Sequence, residues 1–209
     1  MTRQNRCDPW GQLRAVAPRG HWMGNRGVLK PRTFPLDAVP YASPGWLMCS
    51  LEGKGPPARF ADGGVQYTKL FFMDEASGLA AGHRPCWECR PKQFGLFKSA
   101  WLDANPEYGL TNASPVKAID RILHAERVSR HTKRLYQAPV EQLPDGTFFA
   151  DNDDAYLVWK GGHRRWSFAG YAPSEALNYT GVVQVLTPPS IVRMLTAYPV
   201  QVHPSADMS

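Results

Sequence analysis

Cysteines are the residues of this 209-residue chain best suited to chemistry, and two of its four cysteines lie close together. Cys86 and Cys89 are separated by two residues. Two thiolates at this spacing bind one tetrahedral metal ion from a single turn, and zinc is the usual ion. A redox pair is the alternative, but it needs a helix that begins at the first cysteine. We favour zinc, because a predicted helix that ends near Ala81 precedes the pair and Pro91 opens the next helix after it.

A zinc site needs two further ligands from elsewhere in the chain. Cys49 is the best third ligand, because it lies on a predicted strand that leads towards the paired cysteines, although a buried structural cysteine is the alternative. The fourth ligand stays open, and the candidates are His83, Glu52, Cys7 and His21. His83 is equally suited to orienting the site without binding the metal. A water molecule in the fourth position would make the site catalytic in type.

A second group of chemically capable residues falls on a helix predicted from Ser114 to about Lys133. Opposite its apolar stripe, the helix carries at regular spacing Asp120, His124, Arg127 and His131. Asp120 could orient His124 as a general base, and a solvated polar face is the plain alternative. The segment is also the most basic in the chain, so a third interpretation is that Arg127 and Arg130 contact nucleic-acid phosphates.

Asn25 and Arg26 stand between two glycines in the segment 21–27, which we expect to be a compact turn. Glycines let the backbone approach a ligand closely, and an arginine there can hold a phosphate or carboxylate through two hydrogen bonds. A turn with purely structural hydrogen bonds is the alternative. Arg84, beside the paired cysteines, is a further candidate for ligand contact. Exposed aromatic rings would stack on bases, and the candidates are Tyr67, Trp87 and Trp166.

Composition limits the class of protein. The net charge of +6 and an isoelectric point near 9.3 favour polyanionic partners. Residues 1–20 lack the apolar core of a secretory signal, and no apolar run approaches the roughly 20 residues of a membrane helix. We therefore expect a cytoplasmic protein without membrane contacts, in which clustered cysteines indicate metal binding or reactivity rather than disulfides.

Periodicity and capping residues predict the elements that position these side chains. Asp74 is a suitable N-cap for a short helix that ends near Ala81, and Gly82 suits the position after it. Pro91 suits the first turn of the following helix. Strands are expected at 46–51, 67–72, 147–150, 155–159, 165–168 and 182–186. A last short helix is expected at 191–197.

These elements predict an α+β fold: a zinc-bearing strand–helix–turn unit, followed by helices and a small antiparallel β-sheet or partial barrel. The length suits one integrated domain, residues 1–209, because no flexible linker is visible. A boundary near residue 140, before the β-rich part, is the alternative. Residues 1–20 are polar and irregular, and we expect a loosely ordered arm there.

One stretch resembles a known family. Leu70-Phe71-Phe72, the alanine-rich segment after it and Gly82-His83-Arg84-Pro85-Cys86-Trp87-Glu88-Cys89-Arg90-Pro91 are similar to the zinc-binding N-terminal domain of Ada DNA-repair proteins. The resemblance extends over about residues 46–91. It implies a zinc ion on Cys49, Cys86 and Cys89, and a methyl group transferred from a DNA phosphotriester to Cys49. Gly53 stands where that family has another cysteine, and His83 replaces its phenylalanine.

Two hypotheses follow for function. The first is a zinc-binding protein that recognises DNA or RNA, in DNA repair or in recognition of modified DNA, with Cys49 as a conceivable alkyl acceptor. The alternative is a metal-dependent or histidine-based enzyme that acts on a small substrate through His83, His124 and Arg26. The chain as a whole is also similar to a family of bacterial proteins, which implies no particular activity.

Overall fold

The computed structural model describes residues 4–27, 29, 41–51, 68–130, 132–172 and 179–208. Over these ranges the chain has the predicted α+β fold, with two six-stranded sheets, one two-stranded sheet and four α-helices. In the same ranges, no helix combines the length and the apolar character needed to cross a membrane.

The first sheet carries the cysteines. Its strands are β1 (Arg6–Cys7), β2 (Leu13–Arg14), β3 (Trp22–Asn25), β4 (Leu47–Ser50), β5 (Leu70–Phe72) and β6 (Arg84–Pro85). Their order is β2-β1-β5-β3-β4-β6, and β4 runs parallel to β6. This pairing sets Met48 opposite Pro85, so the next residues along each strand, Cys49 and Cys86, lie side by side.

Two expectations for the N-terminal part are corrected by this sheet. β1 pairs with both β2 and β5, and its Cys7 is fully buried, so residues 4–20 belong to the fold and are not a loose arm. The segment 21–27 is largely the strand β3, between β4 and β5, rather than a compact turn. Glycine is needed at position 24, because an added Cβ would collide with the carbonyl oxygen of Leu47.

The helices are α1 (Glu75–Ala80), α2 (Pro91–Ala104), α3 (Val116–Arg127) and α4 (Pro189–Leu195). Helix α1 begins as predicted, because the Asp74 carboxylate accepts a hydrogen bond from the Ser77 N–H at 2.8 Å, while the Ser77 hydroxyl accepts one from the Asp74 N–H. Gly82 follows α1 with a φ of +93°. Helix α2 has Pro91 in its first turn, also as predicted.

Helix α3 is shorter than expected. It ends at Arg127, and the chain continues into a two-stranded ladder of β7 (Val128–Ser129) and β8 (Thr132–Lys133). Arg130, in the turn between these strands, has a φ of +58°.

The second sheet is antiparallel, as predicted for the C-terminal part. Its strands are β9 (Tyr136–Pro139), β10 (Phe148–Asp151), β11 (Asp154–Trp159), β12 (Gly162–Ser167), β13 (Gly170–Tyr171) and β14 (Val182–Val185). Their order is β13-β12-β11-β10-β14-β9, and no pairing between the described parts of the outer strands closes them into a barrel.

Helix α1 lies between the two sheets and links them. Ala76 and Ala80 share a core cluster with Phe148 and Leu157 of the second sheet. At its first turn, the Asp74 carboxylate accepts a 2.6 Å hydrogen bond from the Tyr171 hydroxyl. The element that precedes the paired cysteines is thus anchored on both sides.

Candidate metal centre

Three cysteines converge at the edge of the first sheet. The Sγ atoms of Cys49, Cys86 and Cys89 all lie within 4.8 Å of one another. In a tetrahedral zinc–thiolate site, with Zn–S of about 2.3 Å, sulfur atoms are about 3.8 Å apart. Within the described ranges, no other group of three or more His, Cys, Asp or Glu side chains brings its ligand atoms together in this way. The three sulfur atoms could therefore hold a metal ion.

Backbone hydrogen bonds position the turn that carries two of these cysteines. The Cys86 N–H donates to the Met48 carbonyl oxygen at 2.9 Å, which ties the start of the turn to β4 beside Cys49. The Arg90 N–H donates to the Cys86 carbonyl oxygen, also at 2.9 Å, and closes the turn. This hydrogen bond closes the turn and so brings Cys89 back towards Cys86.

Hydrogen bonds around the sulfur atoms concentrate negative charge on Cys86. A hydrogen bond from the Cys49 thiol lowers the pKa of Cys86 to about 5, and the backbone N–H groups of Glu88 and Cys89 act in the same direction. The same contact with Cys86, together with burial, raises the pKa of Cys49. Burial raises the pKa of Cys89. The group is therefore one thiolate with two thiols beside it, and a metal cation would replace the two thiol protons.

Buried ion pairs hold the turn at both ends. Before it, Arg84 makes two hydrogen bonds to the Asp120 carboxylate on α3, at 2.7 and 2.9 Å. After it, the guanidinium of Arg90 lies 2.7 Å from Glu75 of α1 and stacks on Trp22, with 4.0 Å to the ring centroid. All four charged groups are shielded from solvent. Desolvation of the two charges offsets much of their attraction, but removing one partner of such a pair is strongly destabilising.

The general-base arrangement expected on α3 does not form. Arg84 occupies both carboxylate oxygens of Asp120. The Nδ1 atom of His124 lies 3.2 Å from Arg127 instead. Burial and the nearby Arg127 charge lower the pKa of His124. His131, expected on the same face, lies outside the described residues.

Arg26 is a core residue rather than an exposed clamp. Its guanidinium donates to His83 Nε2 at 3.0 Å, to the Gly11 carbonyl oxygen at 2.8 Å and to Cys7 Sγ at 3.0 Å. It also stacks on the indole of Trp46, with 3.8 Å to the ring centroid. The structure therefore agrees with the alternative of purely structural hydrogen bonds.

The candidates for a fourth ligand lie apart from the three sulfur atoms. His83 is fully buried and bonded to Arg26, and burial with the charges of Arg26 and Arg127 lowers its pKa well below the usual value. Cys7 and His21 also lie outside the converging group. Glu52 lies outside the described residues.

The residues expected to contact a nucleic acid are mostly in the core. Arg26, Arg84 and Arg127 are at most 4% exposed. Asn25 accepts a long hydrogen bond from the Gly27 N–H, which closes a local turn. Arg130 alone of the five is exposed. Sequence reasoning took these arginines for surface charges because cations rarely lie in a core.

One feature of the site was not anticipated from the sequence. Trp46 lies in the core, and the guanidinium groups of Arg26 and Arg127 both stack on its indole. They lie 3.8 and 3.9 Å from the ring centroid. Nothing in the spacing of these residues indicated that contact.

Of the aromatic residues considered for base stacking, Trp87 lies between the paired cysteines and is 58% exposed, so it meets the condition for stacking. Trp166 is partly buried. Tyr67 lies outside the described residues.

Comparisons with protein-family models, with curated proteins and with solved structures find no match to this chain. The resemblance to the Ada zinc domain therefore stays a prediction.

Proposed function

We propose that the protein binds one zinc ion through Cys49, Cys86 and Cys89. The observation that carries this proposal is the convergence of three sulfur atoms within 4.8 Å. Thiolates are soft ligands that select zinc among the common divalent ions, and three of them exclude magnesium and calcium, which prefer oxygen. A redox pair would need two sulfur atoms only, and helix α2 begins at Pro91 rather than at Cys86.

The fourth ligand is, on this proposal, a water molecule or Glu52. Cys89 is partly exposed, which supports access of solvent to that side of the centre. Glu52 follows Cys49 by three residues in the chain. Zinc accepts a carboxylate oxygen or water beside thiolates, so either completes a tetrahedral site.

We further propose that the turn from Cys86 to Cys89, called the metal turn below, contacts single-stranded nucleic acid. Trp87 presents an exposed indole between two of the metal ligands, and unpaired bases stack on such rings. Lys92, on the first turn of α2, is exposed and could neutralise a phosphate. The net charge of +6 supports an anionic partner. Arg26, Arg84 and Arg127 have no direct part in this contact, because they are buried.

A second candidate function is alkyl acceptance by the zinc thiolates. The resemblance to the Ada domain implies Cys49 as the acceptor, but Cys49 is only 5% exposed. Cys89 is the most exposed of the three cysteines and is the acceptor we propose. A methyl group would leave the oxygen of a DNA phosphotriester for sulfur and form a thioether, while the phosphate regains its negative charge. Peptide mass spectrometry after incubation with methylated DNA would locate the added methyl group.

The enzyme hypothesis that joined His83, His124 and Arg26 in one small-substrate pocket has less support. His83 and Arg26 are fully buried and bonded to each other. A substrate would have to displace that hydrogen bond to reach either group.

Metal content tests the zinc proposal. Elemental mass spectrometry of purified protein should find about one zinc per chain, and Cys86→Ser should lose it, since removing one ligand lowers the affinity of a thiolate site steeply. Cys7→Ser is the matched control, because Cys7 is a buried cysteine outside the converging group. Zinc retained in Cys86→Ser, or no metal in the wild type, would refute the assignment.

Nucleic-acid contact is tested by fluorescence anisotropy of a labelled single-stranded oligonucleotide. Binding should weaken as salt rises, and Trp87→Ala should lose about tenfold in affinity through the missing stack. Trp159→Ala, on β11 of the second sheet, should bind normally. Affinity that does not depend on salt, or an equal loss in both variants, would contradict the proposed contact.

A further inference from the structure

The exposed face of helix α3 carries a row of positive charges. Lys117 and Arg121 lie one turn apart on this face, and both are exposed. Ala125 is the next residue on the same line, and the exposed Arg134 donates a 2.8 Å hydrogen bond to its carbonyl oxygen. Three cations therefore follow one another along about 12 Å of the helix.

A fourth exposed cation, Arg130, lies in the turn of the β7–β8 ladder that directly follows α3. We call the four residues Lys117, Arg121, Arg130 and Arg134 the basic surface. In the part of the chain that the structure describes, none of the four forms an ion pair. Their charge is therefore directed to solvent rather than used within the fold.

The two carboxylates of α3 do not offset this charge, because both are engaged elsewhere. Asp120 is buried, and Arg84 binds both of its oxygens. Glu126 lies on the opposite side of the helix, where it accepts hydrogen bonds from the hydroxyls of Tyr108 at 3.1 Å and Ser190 at 2.6 Å. Exposed surfaces usually carry charges of both signs. A row of one sign favours an anionic partner.

The basic surface offers charge without a ring on which a base could stack. Among the described residues, the large aromatic side chains that are exposed are Trp87, on the metal turn, and Tyr108, which is bonded to Glu126. His124 and Tyr41 are half-buried and pack edge to face, with ring centroids 4.7 Å apart. Sites for single strands combine cations with exposed rings. A surface of cations alone suits a duplex, which presents phosphates and shields its bases.

We propose that the basic surface binds the phosphate backbone of double-stranded nucleic acid. A duplex carries about seven phosphate charges in 12 Å of its axis, so each of the four cations can neutralise one. Phosphate contacts carry no sequence information, and binding should therefore not depend on base sequence. The surface shares no residue with the metal turn, and the proposal needs neither zinc nor the single-strand contact proposed above.

Fluorescence anisotropy of a labelled DNA duplex of about 20 base pairs tests the proposal. With four phosphate contacts, the logarithm of the binding constant should fall linearly with the logarithm of salt concentration, with a slope between about −3 and −4. The double variant Lys117→Gln with Arg121→Gln removes two contacts. Its slope should be shallower by about two, and its affinity should fall about tenfold or more.

The matched control is Arg19→Gln with Lys69→Gln, which removes the same charge from two exposed positions outside α3. It should keep the slope of the wild type. All four substituted side chains are exposed, so both double variants should fold and melt like the wild type. A slope near zero in the wild type, or equal losses in the two double variants, would overturn the proposal.

Two further measurements separate the proposed partner from others. Trp87→Ala should bind the duplex normally, because paired bases are not open to stacking; a loss in this variant without one in the α3 pair would assign the contact to the metal turn. Vesicles of phosphatidylcholine with phosphatidylserine should not bind. Vesicle binding that is lost in the α3 pair would overturn the proposal in favour of a membrane surface. A single-stranded oligonucleotide measured in parallel keeps failure of this proposal apart from failure of the metal-turn contact.

Discussion

Cys86 differs from its two neighbours in the charge that it carries before a metal arrives. Its sulfur receives hydrogen bonds from the thiols of Cys49 and Cys89 and from two backbone N–H groups, and these lower its pKa, whereas the pKa values of Cys49 and Cys89 are raised. A thiolate formed in advance gives the site an initial electrostatic attraction for a cation. The sulfur atoms of Cys49 and Cys89 must lose their protons to bind a metal ion.

This difference predicts the number of protons that zinc displaces. At neutral pH about two should be released per zinc, because Cys86 is already ionised while Cys49 and Cys89 are not. Since thiolates are the ligands, affinity should fall as the pH decreases, and most steeply where protons are released. Calorimetric titration in buffers of different ionisation enthalpy measures the number. Release of about three protons would show that Cys86 is an ordinary thiol.

At the scale of elements, the metal turn depends on its connection to α3. Asp120→Asn should destabilise the protein by about 3 kcal/mol or more, because Arg84 would be left buried without a counter-charge. Asp154→Asn is the matched control. It breaks the exposed pair with Arg165 and should change stability very little. Urea denaturation measures both variants, and equal effects would mean that the buried pair has no special part in holding the turn.

Gly82 joins α1 to the turn and permits the close passage of Arg127. An added Cβ there would collide with the Arg127 side chain, whereas one at Gly109 would meet no atom within 4 Å. Both glycines have positive φ, at +93° and +63°, so alanine strains the backbone at either position. Gly82→Ala should therefore cost at least about 1 kcal/mol more than Gly109→Ala by thermal or urea unfolding. Equal costs would show that Arg127 moves aside freely.

Elements with local determinants were predicted well from the sequence. The Asp74 cap, the short helix after it and the Pro91 start of α2 are all present, because each depends on residues within one or two turns. The end of α3 at Arg127 was not predicted, since β7 pairs with β8 through contacts that helical periodicity does not express. β3 was expected as a turn, because two glycines suggested one, yet its neighbours in the sheet are distant in sequence.

The candidate site was likewise predicted only where local sequence determines it. Cys49, Cys86 and Cys89 were brought together correctly by type and spacing. The buried positions of Arg26, Arg84 and Arg127 were not foreseen, because an arginine enters a core only when its partners are supplied by tertiary structure. No local pattern identifies those partners.

For the whole molecule, helix α1 couples the two sheets. Tyr171 and Tyr198, both from the C-terminal part, donate hydrogen bonds to Asp74 and Glu75 at its first turn. Glu75 in turn holds Arg90, the residue that follows Cys89. The metal turn and the second sheet are therefore connected through one short helix.

Unfolding should reflect this coupling. Removal of zinc by a chelator should lower the melting temperature of the whole chain in a single transition, because metal binding stabilises the turn and α1 transmits the loss to both sheets. Scanning calorimetry with and without chelator measures this. Two resolved transitions, of which only one shifts, would indicate separate domains with a boundary near residue 140.

X-ray absorption at the zinc edge of the purified protein tests the central claim most directly. We expect three sulfur atoms at about 2.3 Å and one lighter oxygen or nitrogen ligand, the set that Cys49, Cys86, Cys89 and water or a carboxylate would supply. A spectrum with four sulfur atoms, or with none, would contradict the account.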